Sequence, residues 1–92
     1  MEEIYRKAIE LYGERDQIDM AIEEFAELIV ALNHYRRNRA DKPDVLDEIA
    51  DASIMLDQLR ILFDISDSVL ATAKYTKVIR LLDKMAVSYG DK

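Results

Sequence analysis

Apolar positions recur at helical spacing along almost the whole chain, and no stretch alternates in the manner of a strand. Ile4, Ala8, Leu11 and Tyr12 share one face, with Tyr5 and Ile9 alongside, which predicts a short helix from Glu2 to Tyr12. Gly13 then reads as its stop, since glycine adopts a left-handed cap without strain. Asp16 reads as the N-cap of a second helix reaching about Arg37, with the stripe Ile18, Ala21, Ile22, Phe25, Leu28, Ile29 and Leu32. Residues 38–44 connect it to a third helix, in whose first turn Pro43 fits because a missing N–H costs nothing there. That helix runs to about Phe63, with the stripe Val45, Ile49, Ala52, Met55, Leu56, Leu59 and Phe63. Residues 64–67 read as a loop with Ser66 as the next N-cap. A fourth helix spans Asp67 to Tyr89 and frays from Gly90 onward.

Four carboxylates sit awkwardly on this pattern. Glu24 and Glu27 miss the main stripe of the second helix and share a line with Met20 and Ala31. Glu48 and Asp51 edge the stripe of the third, in line with Met55 and Leu62. Residues three apart are neighbours on a helix, so each pair occupies adjacent turns. Antiparallel packing of the two helices would bring the pairs face to face. Bare carboxylates turned toward a core cost several kcal/mol, and converging ones repel and raise each other's pKa. A hard divalent cation resolves both problems, and ligands that are all oxygen point to Mg²⁺ or Mn²⁺ rather than zinc. The bland alternative is that acids near a helix start merely answer the dipole. That suits Asp44, Asp47 and Glu48 better than the mid-helix Glu23, Glu24 and Glu27.

Composition narrows the class. Ninety-two residues make one domain, 1–92, whose single core is modest, so oligomerisation would help to close it. Half the residues are hydrophobic, which excludes a disordered chain, and two glycines and one proline suit helices with short connections. The absence of cysteine rules out a disulfide framework and a thiolate metal site. No apolar run nears the ~20 residues of a membrane span, and the N-terminal stretch is unlike a signal peptide, so a cytoplasmic setting is expected. A net charge of −6 argues against sequence-independent nucleic-acid binding but permits a polyphosphate bridged by metal.

The basic residues gather in two places. Arg36, Arg37 and Arg39 lie at a helix end, where they are either a solvated complement to the dipole or a phosphate-contacting patch. Lys74, Lys77, Arg80 and Lys84 form a line on the last helix that is either its wet side or a means of neutralising phosphates. His34, the one histidine, has no Glu-x-x-His context for a di-iron site and no partner for zinc, and reads as a surface or interface residue. There is no glycine-rich phosphate loop and no nucleophilic triad.

Glu23-Glu24-x-x-Glu27, a spacer, then Glu48-x-x-Asp51 resembles the signature of the MazG-type all-α nucleoside triphosphate pyrophosphohydrolases. Gln17 precedes the Glu-Glu pair by six residues, Leu28 and Ala31 follow it, and Lys74-Tyr75 with Arg80 is similar to the lysine-aromatic and arginine segment of that family's last helix. The likeness covers Gln17 to Arg80; Ser53 and Ile54 depart from a more uniform aliphatic run. The resemblance implies a four-helix, bundle-like all-α fold completed as a homodimer or homotetramer. It implies that Glu24, Glu27, Glu48 and Asp51 bind Mg²⁺, with Mn²⁺ as a substitute. Glu23 would lie beside them, as a support or second-ion ligand or as the group that orients the attacking water. Lys74 and Arg80 would contact phosphates, reaching in from a neighbouring subunit, and Gln17 would frame the nucleotide pocket. The implied reaction cleaves an NTP or dNTP to monophosphate and pyrophosphate. Two alternatives stand beside it: a phosphoribosyl-ATP pyrophosphohydrolase, and a helical regulatory module without activity.

Overall fold

All four predicted helical segments form, but the first two belong to one bent element. The computed structural model describes residues 1–90, with Tyr89 given by its backbone alone. In it α1 spans Glu2–Arg36, α2 Lys42–Leu62 and α3 Asp67–Gly90, with no strand among the described residues. The chain is all-α, as expected; the fraying expected from Gly90 onward is not seen at Gly90, which is the last residue of α3, and otherwise falls on Asp91 and Lys92, outside the described residues.

α1 breaks at Gly13, where φ is 82° and ψ is 165°. Only glycine adopts that combination readily. No atom lies within 4 Å of where a Cβ would sit, so the demand for glycine is conformational rather than steric. Helical geometry resumes immediately after Gly13, which corrects the expected start at Asp16: that residue lies inside the helix and caps nothing. Gln17 ties the two parts together, its Nε2 donating to the Ala8 carbonyl at 3.3 Å.

The other boundaries follow local chemistry. Asp41 caps α2, with its side chain accepting from the Asp44 N–H at 3.3 Å and the Asp44 side chain accepting from the Asp41 N–H at 3.0 Å. The helix so capped begins at Lys42, one residue ahead of the start expected at about Pro43, and keeps Pro43 in the first turn. Ser66 caps α3 as expected, its Oγ accepting from the Val69 N–H at 3.2 Å. Between α2 and α3, the Arg60 Nη1 donates to the Ile65 carbonyl at 3.2 Å and pairs with Asp67 at 3.3 Å, fixing the direction in which α3 leaves.

α1 and α2 pack together as an antiparallel hairpin joined by a short connection. The contact runs along Gln17, Ala21, Glu24, Leu28 and Ala31 of α1 and along Val45, Glu48, Ala52, Met55, Leu59 and Leu62 of α2, all buried or half-buried. Alternating steps of three and four are the spacing of a coiled-coil seam. This shifts the predicted interface by about one position. Ile22 and Ile29, expected inside, are 61% and 60% exposed, and Leu32, Ile49, Leu56 and Phe63 are also open. The physical reason is that each helix carries two adjacent seams and α2 covers only one of α1's. Ala21, Ala31 and Ala52 make the covered seam narrow.

Apart from the Arg60–Asp67 pair at the turn, α3 splays away from the hairpin, with only an open groove between its first turns and α2. The seam of α3, Ala71, Tyr75, Val78, Leu82 and Met85, has the same spacing and is exposed throughout. The radius of gyration is 16.9 Å, against about 12 Å for a compact chain of this length, so one copy leaves the predicted bundle open. No described helix is long and apolar enough to cross a membrane.

Two buried amides interrupt the hairpin core. Gln17 is 1% exposed and Gln58 8%, and the Oε1 of each is buried without a hydrogen-bond partner. An unsatisfied buried acceptor costs about 1–3 kcal/mol. Gln58→Met, which keeps volume and removes that acceptor, should stabilise the fold by about 1 kcal/mol; denaturant unfolding monitored by circular dichroism checks it, and a lower midpoint would show that the amide is satisfied in solution.

Candidate metal centre

Because the covered seam of α1 runs through Glu24 and that of α2 through Glu48, the hairpin turns carboxylates toward each other. One oxygen from each of Glu24, Glu27 and Glu48 lies within 4.8 Å of the others. Around an octahedral ion with ~2.1 Å bonds, ligand oxygens stand up to about 4.2 Å apart, so small side-chain adjustments would close the set. Glu24 and Glu48 are half-buried, whereas Glu27 stands at the exposed rim. The Oε2 atoms of Glu24 and Glu48 are shielded from water and have no hydrogen-bond partner. Orphaned carboxylate oxygens are costly, and both belong to residues of this trio.

The electrostatics agree with the geometry. Burial raises the Glu24 pKa above its ordinary value, and the charges of Glu27, Asp51, Glu48 and Glu23 raise it further. Glu48 is raised by burial, then by the charges of Glu27, Asp51 and Asp47, with the close approach of the Glu27 carboxyl adding to the shift. Every charge acting on these two carboxylates is negative. Asp44 moves the opposite way, held low by its capping bonds to Asp41, which marks it as a helix cap.

The predicted residues separate into two groups. Glu24, Glu27 and Glu48 converge; Asp51 and Glu23 are exposed neighbours close enough to act on Glu24 but outside the tight trio. Gln17 is buried at the Gly13 bend with its amide bonded to Ala8, and not on an open pocket wall. Lys74 and Arg80 are exposed on α3, which splays away from both helices of the site. Lys74 lines an apolar groove with Ser53, Leu56, Phe63 and Leu70 instead.

A cleft of about 420 Å³ opens from Glu27 and Glu48 toward the α1–α2 connection, lined also by His34, Arg39, Asp44 and Asp47. Asp47 and Arg39 were not singled out from the sequence as parts of this site. The signal for Asp47 was its place beside Glu48, three residues after Asp44. Arg39 stands out in the sequence only as one of three arginines at a helix end, and it is the turn after α1 that carries it, rather than Arg36 or Arg37, to the cleft.

The carboxylate set fits a hard divalent cation through its donors: oxygens alone, two of them shielded and unpartnered. It also makes a pH dependence. A carboxyl whose pKa is raised in the fold contributes stability below its unfolded value, here 4.5, and loses it as pH rises through the folded value. The metal-free protein should therefore be less stable than a Glu24→Gln/Glu48→Gln variant at pH 7, and the gap should close below pH 4.5. Melting temperatures of the two proteins in chelator check it, since contributions from Asp44 cancel in the difference; a gap independent of pH would mean that the two carboxylates are relaxed by solvent. No family model, curated protein or solved structure matches the chain.

Proposed function

We propose that the chain is a Mg²⁺-dependent hydrolase that cleaves an NTP or dNTP between the α- and β-phosphates. The observation that carries this reading is the convergence of Glu24, Glu27 and Glu48 with two shielded, unpartnered oxygens. Glu24, Glu27, Glu48 and Asp51 would hold the ion, which supplies charge neutralisation for the triphosphate and acidifies a bound water. Glu23, exposed at the rim, is assigned to orienting the attacking water. Water oxygen bonds to the α-phosphorus, the bond to the bridging oxygen breaks, and pyrophosphate leaves with that electron pair. The resemblance of Glu23-Glu24-x-x-Glu27 and Glu48-x-x-Asp51 to the MazG-type signature supports the substrate class. Gln17 is assigned to framing the nucleotide pocket. Its burial makes that role one of shaping the wall unless the bend at Gly13 opens.

Lys74 and Arg80 enter the reading through assembly. The hairpin exposes a second apolar seam, α3 exposes its own, and the two differ in charge. Residues 1–66 carry 16 acids and eight bases, whereas α3 carries four bases and two acids. Docking α3 of one copy on the hairpin of another would bury both seams and pair opposite charges, and it would carry Lys74, which borders the α3 seam, to the neighbour's carboxylates; Arg80, about half a turn from that seam, would reach a site through a further contact of the assembly. We assign a homodimer or homotetramer on this ground, with the cytoplasm as its setting.

The test is a panel of NTPs and dNTPs with Mg²⁺, together with phosphoribosyl-ATP, measuring monophosphate and pyrophosphate. Release of pyrophosphate from one or more nucleotides is expected. Turnover of phosphoribosyl-ATP alone would move the activity to that substrate. No turnover of any member by the assembled protein would leave a helical interaction module, a role that the open seams would also serve.

A further inference from the structure

The turn that ends α1 is built around Asn38, whose φ is 60°. The Arg39 N–H donates to the His34 carbonyl at 2.8 Å and the Asn38 N–H to the Tyr35 carbonyl at 3.0 Å. α2 ends the same way around Asp64, φ 55°, with the Ile65 N–H on the Arg60 carbonyl at 2.8 Å and the Asp64 N–H on the Ile61 carbonyl at 3.0 Å. Helices closed by this pair of bonds commonly place an apolar side chain just after the left-handed residue, packed back on the last turn. α2 follows that habit with Ile65. α1 puts Arg39 there, opposite His34, and both side chains line the cleft that reaches Glu27 and Glu48.

The guanidinium is not used up by its surroundings. Glu27, Asp44, Asp47 and Glu48 line the same cleft, yet Arg39 forms an ion pair with none of them. An arginine whose backbone is pinned by a tight turn, whose planar donors pair with no carboxylate among the described residues and whose side chain lines a cleft is suited to an oxyanion that can accept two parallel hydrogen bonds. The acids of the cleft would repel such an anion until a cation neutralises them.

We infer that this cleft is a phosphate subsite in which Arg39 binds one phosphate group of a polyphosphate held at its other end by the metal centre. The inference rests on the proposed metal site and deepens it. It assigns the α1–α2 turn to substrate binding, separately from Lys74 and Arg80, and it makes phosphate binding dependent on prior binding of the ion.

Inorganic tripolyphosphate is the probe, because its binding is measurable by titration calorimetry whether or not any nucleotide is hydrolysed. The wild-type protein should bind it in Mg²⁺ and roughly tenfold or more weakly in chelator. Arg39→Ala should weaken binding in Mg²⁺ by roughly tenfold or more, and Arg39→Lys should recover only part of it. Arg37→Ala, two residues away in the same turn, should bind as the wild type does. Mn²⁺ affinity without tripolyphosphate should be equal in all four proteins. Unchanged binding by Arg39→Ala, an equal loss in Arg37→Ala, or no binding by the wild type would each overturn the subsite. The proposed activity fails differently: if no nucleotide is turned over but tripolyphosphate binding depends on Arg39, the subsite stands and the hydrolase does not. If nucleotides are turned over and Arg39→Ala leaves their KM unaltered, the hydrolase stands and the subsite falls.

Discussion

Glu27→Gln should abolish hydrolysis, by at least about 10²-fold in kcat/KM, while leaving the helical spectrum unchanged. Glu27 is exposed and belongs to no packed layer, so its replacement by an isostere removes a charge and not a contact. Its oxygen nevertheless closes the trio with Glu24 and Glu48, and an ion held by two carboxylates instead of three loses both affinity and position. Removing one negative charge also relieves Glu24 and Glu48, whose pKa values Glu27 helps to raise. The variant should therefore melt higher than the wild type in chelator at pH 7 and gain less on adding Mg²⁺. A single substitution that raises metal-free stability and removes activity is the signature of a carboxylate kept for binding a cation. Mn²⁺ titration by electron paramagnetic resonance, read beside the melting curves, separates this from a fold defect. Full activity with unchanged Mn²⁺ affinity would remove Glu27 from the centre.

Why the acids were legible and much of the packing was not follows from how much each feature depends on distant parts of the chain. The spacing of Glu24 with Glu27 and of Glu48 with Asp51 is local, and an antiparallel hairpin is the natural result of two long amphipathic segments joined by a short connection. Convergence of three of the four needed little more. Asp51 stays outside the tight trio because it points to the exposed side of its turn, a matter of a fraction of a helical step. The caps at Asp41 and Ser66 were similarly local, although only Ser66 was placed correctly from sequence. Asp16 looked like a cap in isolation, but Gly13 lets the helix resume at once, so the cap was not needed. The choice between adjacent seams was beyond pattern alone. Ile22, Ile29 and Leu32 are more apolar than Gln17, Ala21 and Glu24, yet the second set faces α2 and the first is exposed, with Ile18 and Phe25 half-buried between them. Hydrophobicity ranks the seams and does not say which neighbour each will meet. Here the stronger seam is the one left open, which is the opposite of what burial within a single chain would favour.

That open seam should be closed by a second copy, and the closing should be necessary for activity. Val78→Asp/Leu82→Asp places two charges in the middle of the α3 seam without touching the hairpin. Both positions are exposed in the single chain, so the substitutions have little to disturb unless a partner covers them. Burying an unpaired charge in an apolar interface costs several kcal/mol, enough to shift a dimer to monomers at micromolar concentration. Light scattering should show the wild type as a dimer or tetramer and the variant as a monomer of unchanged helicity. Activity should fall by at least about 10²-fold, because Lys74 and Arg80 would no longer reach a carboxylate site. Mixing two inactive proteins tests the same point from the other side. Glu27→Gln lacks a ligand but has its α3 cations; Lys74→Ala/Arg80→Ala has its ligands but not the cations. After exchange of subunits, a mixed dimer would contain one site in which intact carboxylates of one copy face intact cations of the other. Random pairing of equal amounts predicts about a quarter of wild-type activity. Recovery near that value requires α3 to work across the interface. A fully active wild-type monomer, or an exchanged mixture with no recovery, would return Lys74 and Arg80 to the solvated face of a helix and leave the carboxylate centre to act alone.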